Sequence, residues 1–222
     1  MNIIVASVND IHRGIEDVCR RQLNADIVRT SIEMNSIIAE KSVDYIFFIH
    51  WSDLIPKEIY ENYKCIVFHM TDLPYGRGGS PLQNLIVRGH TETKISAIKV
   101  EQGLDTGSIY LKRDLSLYGS AEEIFIRGDK IIMEMIHEII TNDIAPTPQS
   151  GEPSLFKRRK PEDSDISNLD SIEQIYDYIR MLDAEGYPKA FITKGSIKIE
   201  FFRATLKADG SIISDVKISK LK

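Results

Sequence analysis

Cysteine is scarce in this chain, and its scarcity removes several chemistries at once. Cys19 and Cys65 are the two present. They form no Cys-x-x-Cys pair, so neither a disulfide framework nor a redox couple is expected. Both read as buried, inert thiols of a protein in a reducing cytoplasm. No cluster of His, Cys and Asp has ligand spacing, so no metal is expected. Long apolar runs are missing too. Nothing approaches the roughly 20 residues that span a bilayer. The N-terminus lacks the basic segment, apolar stretch and small-residue cleavage site of a secretory leader. A cytoplasmic protein without membrane contact is the expectation. Basic charge is also short: 28 Lys and Arg against 33 Asp and Glu give a net charge of −5. That sign disfavours a surface that tracks polyphosphate, so a small molecule, and no nucleic acid, is the expected partner. No internal repeat or low-complexity tract is present.

What is there suits one good domain plus a small appendage, since 42% hydrophobic and 27% charged residues in a chain of 222 are ordinary for a globular protein. The first half alternates between short apolar runs and helical patterns. Residues 2–7 and 26–30 are short apolar runs, and residues 12–23 and 32–41 have helical spacing. Residues 43–50 are nearly all apolar, as expected of a strand covered on both faces. Pro56 suits the first turn of a short helix, and residues 64–69 read as the next buried strand. The alternation predicts an α/β fold: a Rossmann-like, mostly parallel sheet with helices on both faces. Such sheets bind ligands beyond the carboxyl ends of the strands, near a switch in strand order. His50 and His69 both fall at such ends.

The middle changes character. The stretch LPYGRGGSP at 73–81 holds three glycines and two prolines, the composition of a loop with demanding backbone geometry. A helix over 81–88 follows, then paired strands over 94–101 and 108–117 around a tight polar loop. Ser120 and Glu123 form a capping-box signature that opens an amphipathic helix running to about residue 142. Residues 145–166, with three prolines near the start and a basic run at 157–160, read as a connector. A helix from 171 to about 184 and three strands complete a small C-terminal α+β subdomain. The expected division is a core at 1–144, the connector at 145–166 and the subdomain at 167–222.

The residues that carry chemistry are His69, at a strand end, and Asp105, in a glycine-rich turn. An amine at neutral pH is mostly ammonium and must lose a proton to attack a carbonyl. Histidine titrates close enough to neutrality to take that proton. A neighbouring carboxylate holds the ring, and the charged ring can stabilise an oxyanion. Spacing alone does not separate this pair from two structural side chains, the commoner case.

These segments resemble the folate-dependent formyltransferases. The usual pattern of that family is Asn-x-His, a Leu-Pro-x-x-Arg-Gly loop and Gly-Leu-Asp-Thr-Gly. His69, Leu73, Pro74, Arg77, Gly78 and the GLDTG at 103–107 match it in order and spacing. The connector KRRKPEDSDI at 157–166, with the helix and strands after it, resembles the start of the family's C-terminal region. The resemblance implies formyl transfer from 10-formyltetrahydrofolate to an amine, with His69 and Asp105 catalytic. It implies a donor site along His50, Trp51, Ser52, Leu54 and Ile55, completed by Leu104 and Asp105. The acceptor would meet Thr71, Asp72, Tyr75, Gly76, Arg77, Gly78, Gln83 and Asn84. One position departs: the family asparagine falls on Val67, which cannot donate to an oxyanion, a loss of roughly 3–4 kcal/mol of transition-state stabilisation. Thr71, Asn84, a backbone N–H of the 76–79 loop and protonated His69 are the candidates to replace it.

For the acceptor, the acidic balance and short C-terminal region argue against tRNA, and residues 6–14 lack the phosphate loop of the glycinamide ribonucleotide enzymes. Val67 and the run HMTDLPYGRGGSPLQN at 69–84 are most similar to nucleotide-sugar N-formyltransferases of the pseudaminic-acid type. The expected acceptor is therefore a UDP-linked 4-amino-4,6-dideoxy sugar. Similar formylation domains of peptide synthetases keep an aminoacyl acceptor open. Val67 also leaves open a non-catalytic module that binds folate or a nucleotide sugar, and a homodimer is left open.

Overall fold

Four consecutive apolar residues, Ile3–Ala6, form the first strand, β1, buried on both faces. The computed structural model describes residues 1–7 and 13–221. The start of the expected first helix and most of the 6–14 segment, residues 8–12, lie outside the described residues. The chain continues with α1 (Arg13–Leu23), β2 (Asp26–Val28), α2 (Ser31–Glu40), β3 (Tyr45–Phe48), α3 (Lys57–Tyr60) and β4 (Lys64–His69). Then come β5 (Arg77–Gly78), α4 (Pro81–Val87), β6 (Glu92–Lys99), β7 (Ile109–Ser116) and α5 (Ala121–Asn142). The last elements are β8 (Leu155–Phe156), α6 (Ile172–Arg180), β9 (Ala190–Lys194), β10 (Ile197–Leu206) and β11 (Ile212–Lys220). They fall into two compact units whose segments interleave in the chain: 1–78, 93–115 and 126–155 in one, 79–92, 116–125 and 156–222 in the other.

The first unit is built on a six-stranded sheet in the order β2-β1-β3-β4-β6-β7. β1 pairs in parallel with both β2 and β3, β3 with β4 likewise, and β4 meets β6 antiparallel. The expected α/β fold with a mostly parallel sheet is therefore present. The strand order reverses at β1, where the chain runs first to β2 and then back to β3 on the other side. Ile46, Phe47, Phe48 and Ile49 are wholly buried, which accounts for the unbroken apolar run in the sequence. That strand ends early because His50 adopts the left-handed conformation, at φ 52°. Thr30 caps α2 by accepting from the Glu33 N–H.

Cys19 and Cys65 are both buried in this unit. Burial pushes each thiol up to about 12, helped at Cys19 by the negative charges of Asp129 and Glu16. An unfolded thiol ionises near pH 9, so unfolding releases protons that the native chain keeps. The stability these thiols contribute is full below about pH 9 and is lost as pH rises towards 12. Denaturant titrations at pH 7 and pH 10 should show the fall, and a thiol reagent at pH 8 should modify native protein far more slowly than unfolded chain. Equal rates would contradict the burial.

The second unit carries a three-stranded antiparallel sheet, β11-β10-β9, with a bulge in β10 between Phe202 and Thr205. Ser120 and Glu123 complete the capping box: Ser120 N–H donates to Glu123 Oε2 at 2.8 Å, and Ser120 Oγ accepts from Glu123 N–H at 3.3 Å. The Arg180 guanidinium is buried and donates to the carbonyls of Leu117 and Gly119, which satisfies a charge the interior would otherwise reject. Among the described residues no helix is long and apolar enough to cross a membrane, and no group of three or more His, Cys, Asp or Glu side chains could hold a metal.

Candidate active site

His69 is the last residue of β4, and its ring is buried. Its Nδ1 lies 3.6 Å from Asp105 Oδ2. That is too long for a direct hydrogen bond yet close enough for charge to be felt. On the other side of the ring, Nε2 lies 2.8 Å from the carbonyl oxygen of Gly76.

Asp105 stands in the loop between β6 and β7 at φ 51°, a conformation aspartate tolerates better than most residues. The glycines around it answer to specific contacts. A side chain at Gly107 would begin 1.7 Å from the Lys99 carbonyl oxygen, so only glycine lets the loop return to β6. The Asp105 carboxylate accepts from the Gly78 N–H at 2.9 Å, which ties this loop to the one after β4. Gln149 ties them a second time. Its amide nitrogen donates to the carbonyls of Asp105 and Gly107, both at 2.8 Å, and its oxygen accepts from Arg77 Nη2 at 2.7 Å. Ser154 holds the same loop: its Oγ accepts from the Gly76 N–H at 2.8 Å and its carbonyl from the Arg77 N–H at 3.0 Å.

Gln149 and Ser154 both lie in the stretch the sequence presents as connector. Sequence reasoning missed them because a polar residue amid prolines carries no periodicity that points to a partner.

The expected acceptor residues divide. Thr71 is buried and donates weakly to the Gly76 carbonyl at 3.4 Å. Asp72 accepts from Lys112 Nζ. Tyr75 is half-buried. Arg77 donates through Nε and Nη2 to Gln149 Oε1 and braces its loop. Gln83 and Asn84 belong to the second unit, where Gln83 donates to the Met181 carbonyl and Asn84 to those of Gly79, Ser80 and Lys157.

The expected donor segment is equally mixed. His50 Nε2 lies 2.8 Å from Asp129 Oδ1, in a pair that is largely buried. The Trp51 ring stands edge-on to Phe48, 5.7 Å between centroids, and packs with Ile55 on the core. Its indole N–H is enclosed with no hydrogen-bond partner among the described residues. Ser52, Leu54 and Leu104 are exposed. The register sets Phe48 beside Val67, so the residues that follow β3 and the end of β4 share one edge of the sheet.

The model of the formyl transferase family matches residues 12–123, and that of the methionyl-tRNA formyltransferase C-terminal domain matches residues 161–219. A solved structure named methionyl-tRNA formyltransferase, from Clostridium thermocellum, is 52% identical over 99% of both chains, with a TM-score of 0.92. The methionyl-tRNA formyltransferase of Sorangium cellulosum is 31% identical over 77% of this chain and 57% of its own. The formyltransferase PseJ from Anoxybacillus kamchatkensis, solved with UDP-4,6-dideoxy-4-formamido-L-AltNAc and tetrahydrofolate, is 20% identical over 73% of this chain and 89% of its own, with a TM-score of 0.56. That last likeness carries the fold alone. The present chain spans about half to three-fifths of the length of the curated relatives it matches.

Two expectations are corrected by these findings. A nucleotide-linked amino sugar as acceptor, and a partner list without nucleic acid, conflict with relatives named for methionyl-tRNA. The error has a physical source. Short motifs shared across a family need not report which amine is the acceptor, and a net charge summed over the chain says nothing of its local distribution. The chain belongs to the formyl transferase family.

Proposed function

We propose that this protein transfers a formyl group from 10-formyltetrahydrofolate to the amino group of methionyl-tRNA, in the cytoplasm. The observation that carries the transfer chemistry is His69 set 3.6 Å from Asp105 at the carboxyl end of a central strand. The acceptor is supported by the 52% identical relative of nearly equal length.

For the donor, the enclosed indole N–H of Trp51 is a fitting feature, because buried donors are rarely left without an acceptor and a ligand atom can supply one. Trp51, the main chain of 50–55 and Leu104 would hold the folate. The donor supplies an electrophilic formyl carbon on nitrogen. His69 takes the proton that the attacking amine sheds, and Asp105 balances the charge that the ring gains.

The test is direct. Trp51 is the only tryptophan, so donor binding reads out in intrinsic fluorescence. Saturating 10-formyltetrahydrofolate should quench it and raise Tm, and initial rates should be higher with methionyl-tRNA than with any amino-sugar nucleotide. No quench and no Tm shift would remove the donor site. Quenching without formylation of methionyl-tRNA would remove the acceptor.

A further inference from the structure

We infer that Ser154 is a positioning residue: by holding the Gly76 carbonyl it fixes the tautomer of His69 and leaves Nδ1 as the working nitrogen. The inference rests on the formyl-transfer reading above and goes beyond it to the atom. A carbonyl oxygen only accepts, so the 2.8 Å contact with Gly76 puts the hydrogen of the neutral ring on Nε2 and the lone pair on Nδ1. Asp105, at 3.6 Å, is too far to hold Nδ1 by a hydrogen bond.

The other candidates for the donor lost at Val67 are already engaged. The loop N–H groups of Gly76, Arg77, Gly78 and Gly79 donate to Ser154 Oγ, the Ser154 carbonyl, the Asp105 carboxylate and the Phe156 carbonyl. The Asn84 amide donates to three carbonyls. Thr71 Oγ donates to the same Gly76 carbonyl as His69. Of the candidates, that leaves the ring itself once it is charged.

The step balances. As the amine nitrogen bonds to the formyl carbon, the carbonyl π pair moves to oxygen, and the proton shed by the amine passes to Nδ1. The Nδ1–H then donates to the oxyanion. When the bond from carbon to the donor's N10 breaks, the oxygen pair re-forms the carbonyl and the proton moves from Nδ1 to N10. The ring returns to its starting tautomer.

Ser154 enters because the tautomer is only as fixed as the carbonyl that selects it. Its Oγ takes the Gly76 N–H at 2.8 Å and its own N–H donates to the Pro74 carbonyl at 3.2 Å, so one residue pins the turn from two sides.

The experiment uses the full chain, labelled with 15N and assigned against a His69→Asn variant. In wild-type protein, the neutral His69 ring should show a protonated Nε2 and a bare Nδ1. Ser154→Ala should mix the tautomers and lower kcat about tenfold while donor KM stays within twofold. Ser154→Thr, which keeps the oxygen, should restore both. A wild-type ring protonated on Nδ1 overturns the inference, and so does Ser154→Ala with an unmixed tautomer and kcat within twofold. If Ser154→Ala does not fold, the wild-type spectrum decides alone. Absence of transfer by wild-type protein would count against the formyl-transfer reading, whatever the tautomer.

Discussion

His69→Ala is expected to lower kcat for formyl transfer at least a hundredfold while leaving the fold intact. General-base groups contribute roughly 10²–10⁴ in rate, and a hundredfold corresponds to about 2.7 kcal/mol of barrier. Two features push the expected loss above the lower bound. Val67 offers no amide to the oxyanion, so the ring serves both halves of the step. The other donors of the neighbouring loop are spent within the protein. The fold should tolerate the change because β4 is held by pairing with β3 and β6 along its length. Truncation leaves a small void beside Gly76, whose carbonyl still accepts from Thr71. The measurement is single-turnover transfer beside a thermal melt. Turnover within tenfold of wild type, at an unchanged melt, would remove His69 from the chemistry.

Asp105→Asn is expected to bind the folate donor with little loss and to lower kcat at least a hundredfold. Asparagine tolerates φ near 51° as aspartate does, and its side-chain oxygen can still accept from the Gly78 N–H. The Gln149 bridge uses the main-chain carbonyls of Asp105 and Gly107, which the substitution does not touch. What disappears is one negative charge 3.6 Å from the ring nitrogen that becomes positive during the step. That charge matters more in a water-poor site than at a surface, because screening is weak there. Paired measurements of donor affinity and turnover on the same variant separate the roles. Equal losses in both would make Asp105 a binding or folding residue.

Much of the first unit was legible because its strands carry local signals. The unbroken apolar run that ends at Ile49 and the strand that ends on His69 each encode their geometry within a few residues, as the Ser120–Glu123 box does in the second unit. The GLDTG loop was legible for a related reason. Gly107 cannot be replaced without striking Lys99, so backbone geometry writes itself into residue type. Gln149, Ser154 and the two-residue strands β5 and β8 were not legible. Their partners lie far away in the chain, and nothing in the local sequence of a serine or glutamine says which carbonyl it will meet. Arg77 shows the same limit from the other side. Its place in a family loop suggested contact with substrate, and only the fold reveals Gln149 as its partner. The acceptor was misread because short motifs around the reacting atoms are common to enzymes that formylate different amines.

The bond between Gly76 and Ser154 joins residues 78 apart in the chain. At about 5–20 residues per second, a ribosome would add the second partner roughly 4–16 s after the first. During that interval His69 and the whole of β4 already exist, yet nothing fixes which ring nitrogen carries the hydrogen. On the inferred role of Ser154, catalytic competence of the growing chain should therefore appear only after residue 154 has been added.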